Sequence, residues 1–212
     1  MIEFHNVYLS FGQKTIFSNF NLKIKKGEKI VFIGKSGCGK SSLFELLLGF
    51  KKPEKGNIIF KDKKLDASYI WQVRRQIAYV DQDVSFPNQK VFDFLNFIFS
   101  FKANKHLEFE QNRLISVLEK FELDYNIINK DIGELSGGEK QRLGLVIAIL
   151  LQREIFLLDE VTSSLDKKLK QKVVDYFMSS HNFTVLSISH DPEWLEHPKA
   201  QIYNLELKKW VV

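Results

Sequence analysis

The chain has 212 residues, 44% of them hydrophobic and 27% charged, and its net charge of +5 comes from 31 Lys and Arg against 26 Asp and Glu. This composition is typical of a globular protein and argues against disorder, and the small, scattered positive surplus leads us to expect no nucleic-acid partner. A single cysteine, Cys38, excludes an internal disulfide, and with neither a secretory signal nor a membrane span in the pattern we expect a soluble, cytosolic protein.

Short segments near the N-terminus predict an antiparallel sheet that packs beside the main core. The turn-forming pairs Phe11-Gly12 and Lys26-Gly27 separate some of these segments. The predicted strands are Ile2–Val7, Thr15–Phe17, Asn21–Ile24 and Asn57–Phe60.

The first core strand, Ile30–Ile33, leads into a phosphate-binding pattern and then into a helical pattern over Lys40–Leu48. Glycines allow backbone N–H groups to turn toward phosphate oxygens, and the N-terminus of the helix adds partial positive charge. Lys40 would reach the β and γ phosphates, and the Ser41 hydroxyl would ligate Mg²⁺. A chance Gly-rich turn is the alternative, which average residue frequencies make rare. The residues that match G-x-x-x-x-G-K-[ST] are Gly34, Lys35, Ser36, Gly37, Cys38, Gly39, Lys40 and Ser41, and we add Ser42 to the nucleotide-binding candidates.

A helical pattern runs from about Asp83 to Gln152, with its clearest helices at Arg113–Phe121 and Gly138–Leu151. It predicts a helical subdomain over residues 83–152. Residues 1–82 and 153–212 would form the nucleotide-binding core, which includes the β-subdomain, and the helical subdomain would be inserted into it. The whole chain, 1–212, is then a single domain.

The turn Ser136-Gly137-Gly138 is a second helix start with N–H donors suited to an anion. Ser136 followed by Glu139 is also a capping box, and this local role does not compete with anion binding. One ATP does not need two such sites from one chain, so their presence together suggests that two chains assemble.

Two further apolar runs, Ile155–Leu158 and Val185–Ile188, flank a predicted helix at Lys167–Ser179. Continuous apolar strands with helices between them are typical of a parallel sheet that is covered on both faces. Asp159 and Glu160 follow the first of these runs directly. A solvated turn is the ordinary explanation of such a pair, but together with the phosphate loop it predicts that Asp159 holds Mg²⁺ through its water shell and that Glu160 deprotonates the attacking water.

The segment Leu135–Glu139, continued by Lys140-Gln141-Arg142, resembles the signature motif of ATP-binding-cassette (ABC) ATPases, and the resemblance extends over most of the chain. It implies a P-loop α/β fold. It also implies that Phe11 stacks on adenine, that Gln82 links Mg²⁺ and water to the helical subdomain, and that His190 contacts the γ-phosphate. The predicted catalytic residues are therefore Lys40, Gln82, Glu160 and His190, and the predicted metal ligands are Ser41, Gln82 and Asp159.

The chain departs from the usual pattern of these ATPases at three positions. Phe11 lacks the hydroxyl of the commoner tyrosine, so base selectivity should be poor and GTP is expected to be accepted as well. Asp81 and Val161 stand where proline is frequent. None of the three changes removes a reacting group.

The resemblance further implies a head-to-tail pair, with a second copy or a homologous subunit, in which Ser136 and Gly138 donate to a γ-phosphate held by the partner's Lys40. Ser164-Leu165-Asp166 would cross that interface. Transmembrane permease subunits would hold the pair at the cytoplasmic face of the membrane. The aromatic-rich segment Val84–Phe94 is predicted either to pack the helical subdomain or to dock such a subunit, and the Trp71–Arg75 region loosely resembles subunits of metal-export or iron-related systems. A non-transport cassette ATPase, of the cell-division or iron–sulfur-assembly type, is the alternative.

Overall fold

The computed structural model describes residues 1–107 and 109–211. Its strands are β1 (Ile2–Phe11), β2 (Lys14–Ile24), β3 (Lys29–Ile33), β4 (Lys55–Phe60), β5 (Lys63–Lys64), β6 (Ile77–Val80), β7 (Ile155–Asp159), β8 (Thr184–Ile188), β9 (Gln201–Asn204) and β10 (Lys209–Val211). Its helices are α1 (Lys40–Leu47), α2 (Ile70–Arg74), α3 (Val91–Ser100), α4 (Gln111–Lys120), α5 (Gly137–Leu150), α6 (Lys167–Ser179) and α7 (Pro192–Leu195), with 3₁₀ turns at Tyr125–Asn129 and Ile132–Glu134.

A six-stranded sheet in the order β10-β9-β3-β8-β7-β6 forms the centre of the fold. The pairs β9–β3, β3–β8, β8–β7 and β7–β6 are parallel, and β10 pairs antiparallel with β9. Every residue of β7 and β8 is buried, which explains their continuous apolar pattern. Because the strands are parallel, the segments that follow β3, β7 and β8 meet at one edge of the sheet.

The N-terminal strands form the predicted antiparallel sheet, in the order β2-β1-β4-β5. The prediction of two strands at Thr15–Phe17 and Asn21–Ile24 is wrong, because β2 is one strand of 11 residues. The register between β1 and β2 shifts between the pairs Val7↔Phe20 and Leu9↔Phe17, where Asn19 has a φ of 51°. This irregularity interrupts the alternating pattern without ending the strand.

Helices α3, α4 and α5 lie in the chain between β6 and β7, as the helical pattern predicts for that region. The predicted helix Lys167–Ser179 coincides with α6, and the ends of the other three predicted helices differ from the observed ends by at most two residues. Helix α3 lies within the predicted helical region, but its bounds were not predicted. Buried side chains of α5, such as Leu143 and Val146, share one apolar cluster with Val80, Phe156 and Leu158 of the parallel sheet. The division of the chain at 82/83 and 152/153 stays a prediction.

None of the helices in the described residues is both long enough and apolar enough to cross a membrane.

Candidate active site

The loop between β3 and α1 depends on glycines for its shape. Gly34, Gly37 and Gly39 have φ angles of 146°, 74° and 106°, all in the region that disfavours other residues. A Cβ at Gly39 would lie 2.4 Å from Cγ2 of Ile16, and one at Gly34 would lie 2.8 Å from Sγ of Cys38. The loop therefore needs glycine at these two positions for backbone and contact reasons alike.

The two residues after the loop are held by hydrogen bonds. Lys40 Nζ donates to the carbonyl oxygens of Gly34 at 2.8 Å and Lys35 at 3.3 Å, so its ammonium lies over the loop. Ser41 Oγ donates to Oδ2 of Asp159 at 2.9 Å. This second bond joins the start of α1 to the end of β7.

Asp159 is an electrostatically unusual carboxyl. It is 3% exposed, and this burial raises its pKa to about 6, against the lowering effects of the Ser41 hydrogen bond and the Lys40 charge. The charges of Asp81 and Glu160 raise the pKa further. A buried carboxylate beside a hydroxyl is a donor set of hard oxygens, the kind that Mg²⁺ prefers, so these residues fit the predicted metal.

Glu160 follows Asp159 in a left-handed backbone conformation, with a φ of 45°. Such a conformation is costly for a residue with a side chain, and surrounding contacts must maintain it. The Glu160 N–H donates to the carbonyl oxygen of Ile188 at 2.9 Å, and its carbonyl accepts from Ser163 N at 3.1 Å. The turn is therefore anchored to β8 while the carboxylate stays partly exposed.

A partly buried network that the sequence did not predict connects the segments after β7 and β8. Thr162 Oγ1 donates to Asp191 Oδ2 at 2.7 Å and accepts from Trp194 Nε1 at 3.0 Å. Lys170 Nζ lies 2.6 Å from the other oxygen of Asp191. Thr162 and Asp191 follow Glu160 and His190 by two residues and one residue, so the network joins the two segments that carry these predicted catalytic residues.

These elements surround a cleft of about 320 Å³. It brings together most of the predicted site residues, from the end of β1, the phosphate loop, the start of α1, the segment after β6 and the end of β7. The lining residues are Phe11, Lys14, Ile16, Ser36, Gly37, Gly39, Lys40, Ser41, Ser42, Gln82, Asp159 and Glu160.

Lys14 and Ile16 line the cleft but are absent from the sequence predictions. Phe11 pairs directly with Lys14 across the β1–β2 turn, and Ile16 follows on the same face of β2. A hairpin prediction that fixed this register would have identified both residues from Phe11.

Three members of the predicted loop do not line the cleft. Lys35 points to Glu206, with 3.3 Å between Nζ and Oε1. The Cys38 Sγ atom lies beside Gly34, 2.8 Å from the position that a Cβ on this glycine would take. Their backbone groups still determine the path of the loop.

His190 and the turn Ser136–Gly138 also lie outside the cleft lining. His190 is exposed and follows Ile188 by two residues, which places it at the same edge of the sheet as Glu160. The turn has the predicted capping box, because Ser136 N–H donates to Glu139 Oε2 at 2.9 Å and Glu139 N–H donates to Ser136 Oγ at 3.2 Å. These bonds also lower the pKa of Glu139.

The glycines of this turn have open space around them. A Cβ at Gly137 would meet no heavy atom of the described residues within 4 Å, and one at Gly138 would lie 3.9 Å from the Ser164 carbonyl oxygen. Both φ angles are outside the left-handed region, so neither the backbone nor the packing of this chain requires glycine at either position.

Comparisons with known proteins give a consistent result. The family model described as ABC transporter matches residues 17–163. The probable iron export ATP-binding protein FetA of Escherichia coli K12 is 30% identical over 200 residues, which is 93% of this chain and 88% of that protein. The spermidine/putrescine import ATP-binding protein PotA of Mycoplasma mycoides is 33% identical over 91% of this chain, but this chain spans only 55% of its length.

A solved structure shares the fold. It is a dimeric, post-hydrolysis state of the ATP-binding cassette MJ0796 bound to ADP and Pi, with a TM-score of 0.79 and 24% identity over 97% of this chain and 95% of that chain. The likeness confirms the predicted α/β class.

Proposed function

Since the chain belongs to the ABC transporter family and is an ATPase, we propose that it acts as one half of a head-to-tail pair. In this proposal each chain binds ATP and Mg²⁺ in its own cleft and completes the site of its partner. The pair drives transport through separate membrane-spanning subunits.

The cleft supplies the groups for nucleotide binding. The Phe11 ring, 41% exposed at the end of β1, offers a face for base stacking. The loop N–H groups, the start of α1 and the Lys40 ammonium provide positive charge for the phosphates. Ser41, Asp159 and Gln82 would hold Mg²⁺, which when bound neutralises charge on the β and γ phosphates.

Glu160 is the proposed general base. Its carboxylate lines the cleft on a turn fixed by β8, and it would take a proton from the water that attacks the γ-phosphorus. His190, at the same edge, would contact the γ-phosphate from outside the cleft.

The observation that carries the pairing is the open turn at Ser136–Gly138. A Cβ on either glycine would make no close contact with the part of the chain that the structure describes. Both glycines are at least partly exposed, and they stand at the N-terminus of the 14-residue helix α5. First-turn N–H groups of a helix have no acceptor within the helix, and they attract anions. The phosphates of an ATP bound in a second chain are such an anion.

The variant Glu160→Gln tests both the general-base role of Glu160 and the pairing of two chains. With Mg²⁺ and ATP we expect it to bind nucleotide, release phosphate at least about 100-fold more slowly than wild type, and form a stable dimer in light scattering. With ADP it should remain monomeric. Glu119→Gln, on an exposed position of α4 away from the cleft, is the matched control and should behave as wild type. Turnover by Glu160→Gln near the wild-type rate would reject Glu160 as the base, and an ATP-bound monomer would reject the pairing.

An exposed aromatic pair at the C-terminal end of α3 supports a membrane partner rather than pure core packing. Phe97 and Phe101 are 53% and 47% exposed and their ring centroids lie 4.7 Å apart, while Phe94 and Ile98 pack inward. Exposed apolar patches mark interaction surfaces. Through such a partner the chain would lie at the cytoplasmic face of the membrane.

The double variant Phe97→Ser, Phe101→Ser should no longer co-purify with a polytopic membrane protein. The ATPase rate of the isolated chain should be unchanged. A stable complex with soluble partners alone would favour a cell-division or iron–sulfur-assembly role instead.

A further inference from the structure

A lysine ammonium lies over the ring of Phe11. Lys51 Nζ is 4.0 Å from the ring centroid, a distance well inside the range of cation–π attraction. Phe11 is the last residue of β1, beside the turn to β2, and it is 41% exposed. An exposed phenylalanine in such a position would otherwise change rotamer freely.

Glu45 holds Lys51 through both the side chain and the backbone of the lysine. Lys51 Nζ lies 2.6 Å from Glu45 Oε2, and the Lys51 backbone N–H donates to the Glu45 carbonyl oxygen at 3.2 Å. Both side chains are about one-third exposed, at 30% and 36%. Glu45 belongs to α1, the helix that begins with Lys40 and Ser41, so the ring is connected to the helix that follows the phosphate loop.

Phe11 is among the residues that line the cleft, whereas Lys51 and Glu45 are not. Lys51 instead lines a separate cavity together with Lys52 and Trp71. A single ammonium can lie over only one of the two faces of a ring, so the other face of Phe11 can stack on a base.

We infer that Lys51 and Glu45 are positioning residues that hold the Phe11 ring ready to stack on the nucleotide base. The inference rests on the proposed stacking role of Phe11. Holding the ring before binding reduces the conformational entropy that is lost when the base stacks, which strengthens binding without a new contact to the nucleotide. Such an effect acts equally on the ground state and the transition state, so it changes KM and not kcat.

The first experiment compares substitutions at adjacent lysines. Lys51→Met should raise both the Kd and the KM for ATP about threefold and leave kcat unchanged. Lys51→Arg should restore wild-type values, because a guanidinium both stacks on rings and pairs with carboxylates. Lys52→Met removes the same charge from an exposed neighbour and should have no effect.

A double-mutant cycle separates positioning of the ring from direct attraction of phosphate. Phe11→Ala should weaken ATP binding, and Lys51→Met added to it should cause no further loss, because there is no ring left to hold. Inorganic tripolyphosphate, which has no base, should compete equally well for wild type and for Lys51→Met.

The outcomes are distinguishable. If Phe11→Ala leaves ATP affinity unchanged, the stacking role fails and this inference fails with it. If Phe11→Ala weakens binding but Lys51→Met does not, the stacking role survives and the inference is overturned alone. If Lys51→Met weakened the binding of ATP and of tripolyphosphate equally, or still weakened ATP binding in the Phe11→Ala background, Lys51 would act through its charge. Either result would also overturn the inference. Tighter ATP binding by Lys51→Met would mean that the lysine blocks the base.

Discussion

Ser41 and Asp159, 118 residues apart in the chain, are joined by a hydrogen bond of 2.9 Å from the serine hydroxyl to the aspartate carboxylate. The bond links the helix after the phosphate loop to the last residue of strand β7 in the parallel sheet. It stabilises the charged form of a carboxyl whose burial favours the neutral form, and burial is the larger effect.

The raised pKa of Asp159 predicts a pH-dependent stability in metal-free protein. The pKa is about 6 in the folded protein and 3.8 without the fold, so between these values the folded state binds more protons than the unfolded chain. The free energy of unfolding contributed by this group therefore falls as pH rises through that window and is constant above it. Asp159→Asn should remove this fall in the free energy of unfolding with rising pH. The variant should therefore be more stable than wild type at neutral pH, by on the order of 2–3 kcal/mol.

Urea denaturation in EDTA below and above this window provides the measurement. Ser41→Ala removes a hydrogen bond that lowers the pKa of Asp159. In this variant the free energy of unfolding should therefore continue to fall up to a higher pH. An equal difference between Asp159→Asn and wild type at both pH values would show that the carboxyl does not titrate in this range.

Gly39→Ala should disrupt the phosphate loop. The new methyl would lie 2.4 Å from Ile16 and would place alanine at a φ of 106°, a conformation that costs about 1–3 kcal/mol. We expect a comparable loss in the free energy of unfolding and no detectable ATP binding by calorimetry. Gly27→Ala shares the positive φ without a close contact, so it should lose some stability and keep its ATP affinity. Equal ATP binding by both variants would contradict the steric argument.

The sequence was most informative about features that are determined by residues close together in the chain. Ile155–Leu158 forms a strand because four consecutive apolar residues suit a position buried on both faces, and the glycines of the phosphate loop are required by its own backbone angles. The fold class and the cleft around Lys40, Ser41 and Asp159 follow from such patterns.

The sequence was least informative where contacts are long-range or the backbone is irregular. Lys14 reaches the cleft through strand pairing, and Lys51 reaches Phe11 across 40 residues, so neither shows a local pattern. The bulge at Asn19 made one strand resemble two. The short strands β6, β9 and β10 and helix α3 were missed, because short or partly exposed elements carry weak periodicity.

Lys14→Met should weaken ATP binding about tenfold, the loss typical of a hydrogen bond to a charged group. Lys14 Nζ lies 3.1 Å from the position of a Cβ on Gly37, in the middle of the phosphate loop. The loss should shrink at high salt, because the attraction is electrostatic. Lys25→Met, just beyond the end of β2, removes an equal charge outside the cleft and should bind ATP normally. Calorimetric titrations at two salt concentrations measure both effects, and a loss that did not depend on salt would reject a charge contact.

Gly137→Ala should separate folding from pairing. Because a Cβ at this position meets no heavy atom of residues 1–107 and 109–211 within 4 Å, and alanine is a better helix former than glycine, the variant should unfold at or above the wild-type temperature and bind ATP normally. The same methyl would stand between the start of α5 and the phosphates of an ATP in a partner chain. We therefore expect loss of ATP-dependent dimerisation in the Glu160→Gln background and, with Glu160 intact, at least about a tenfold fall in ATPase rate. Ser136→Ala would be a poorer test, since removing the capping box also destabilises α5. Full dimerisation and turnover by Gly137→Ala would show that no phosphate approaches this turn.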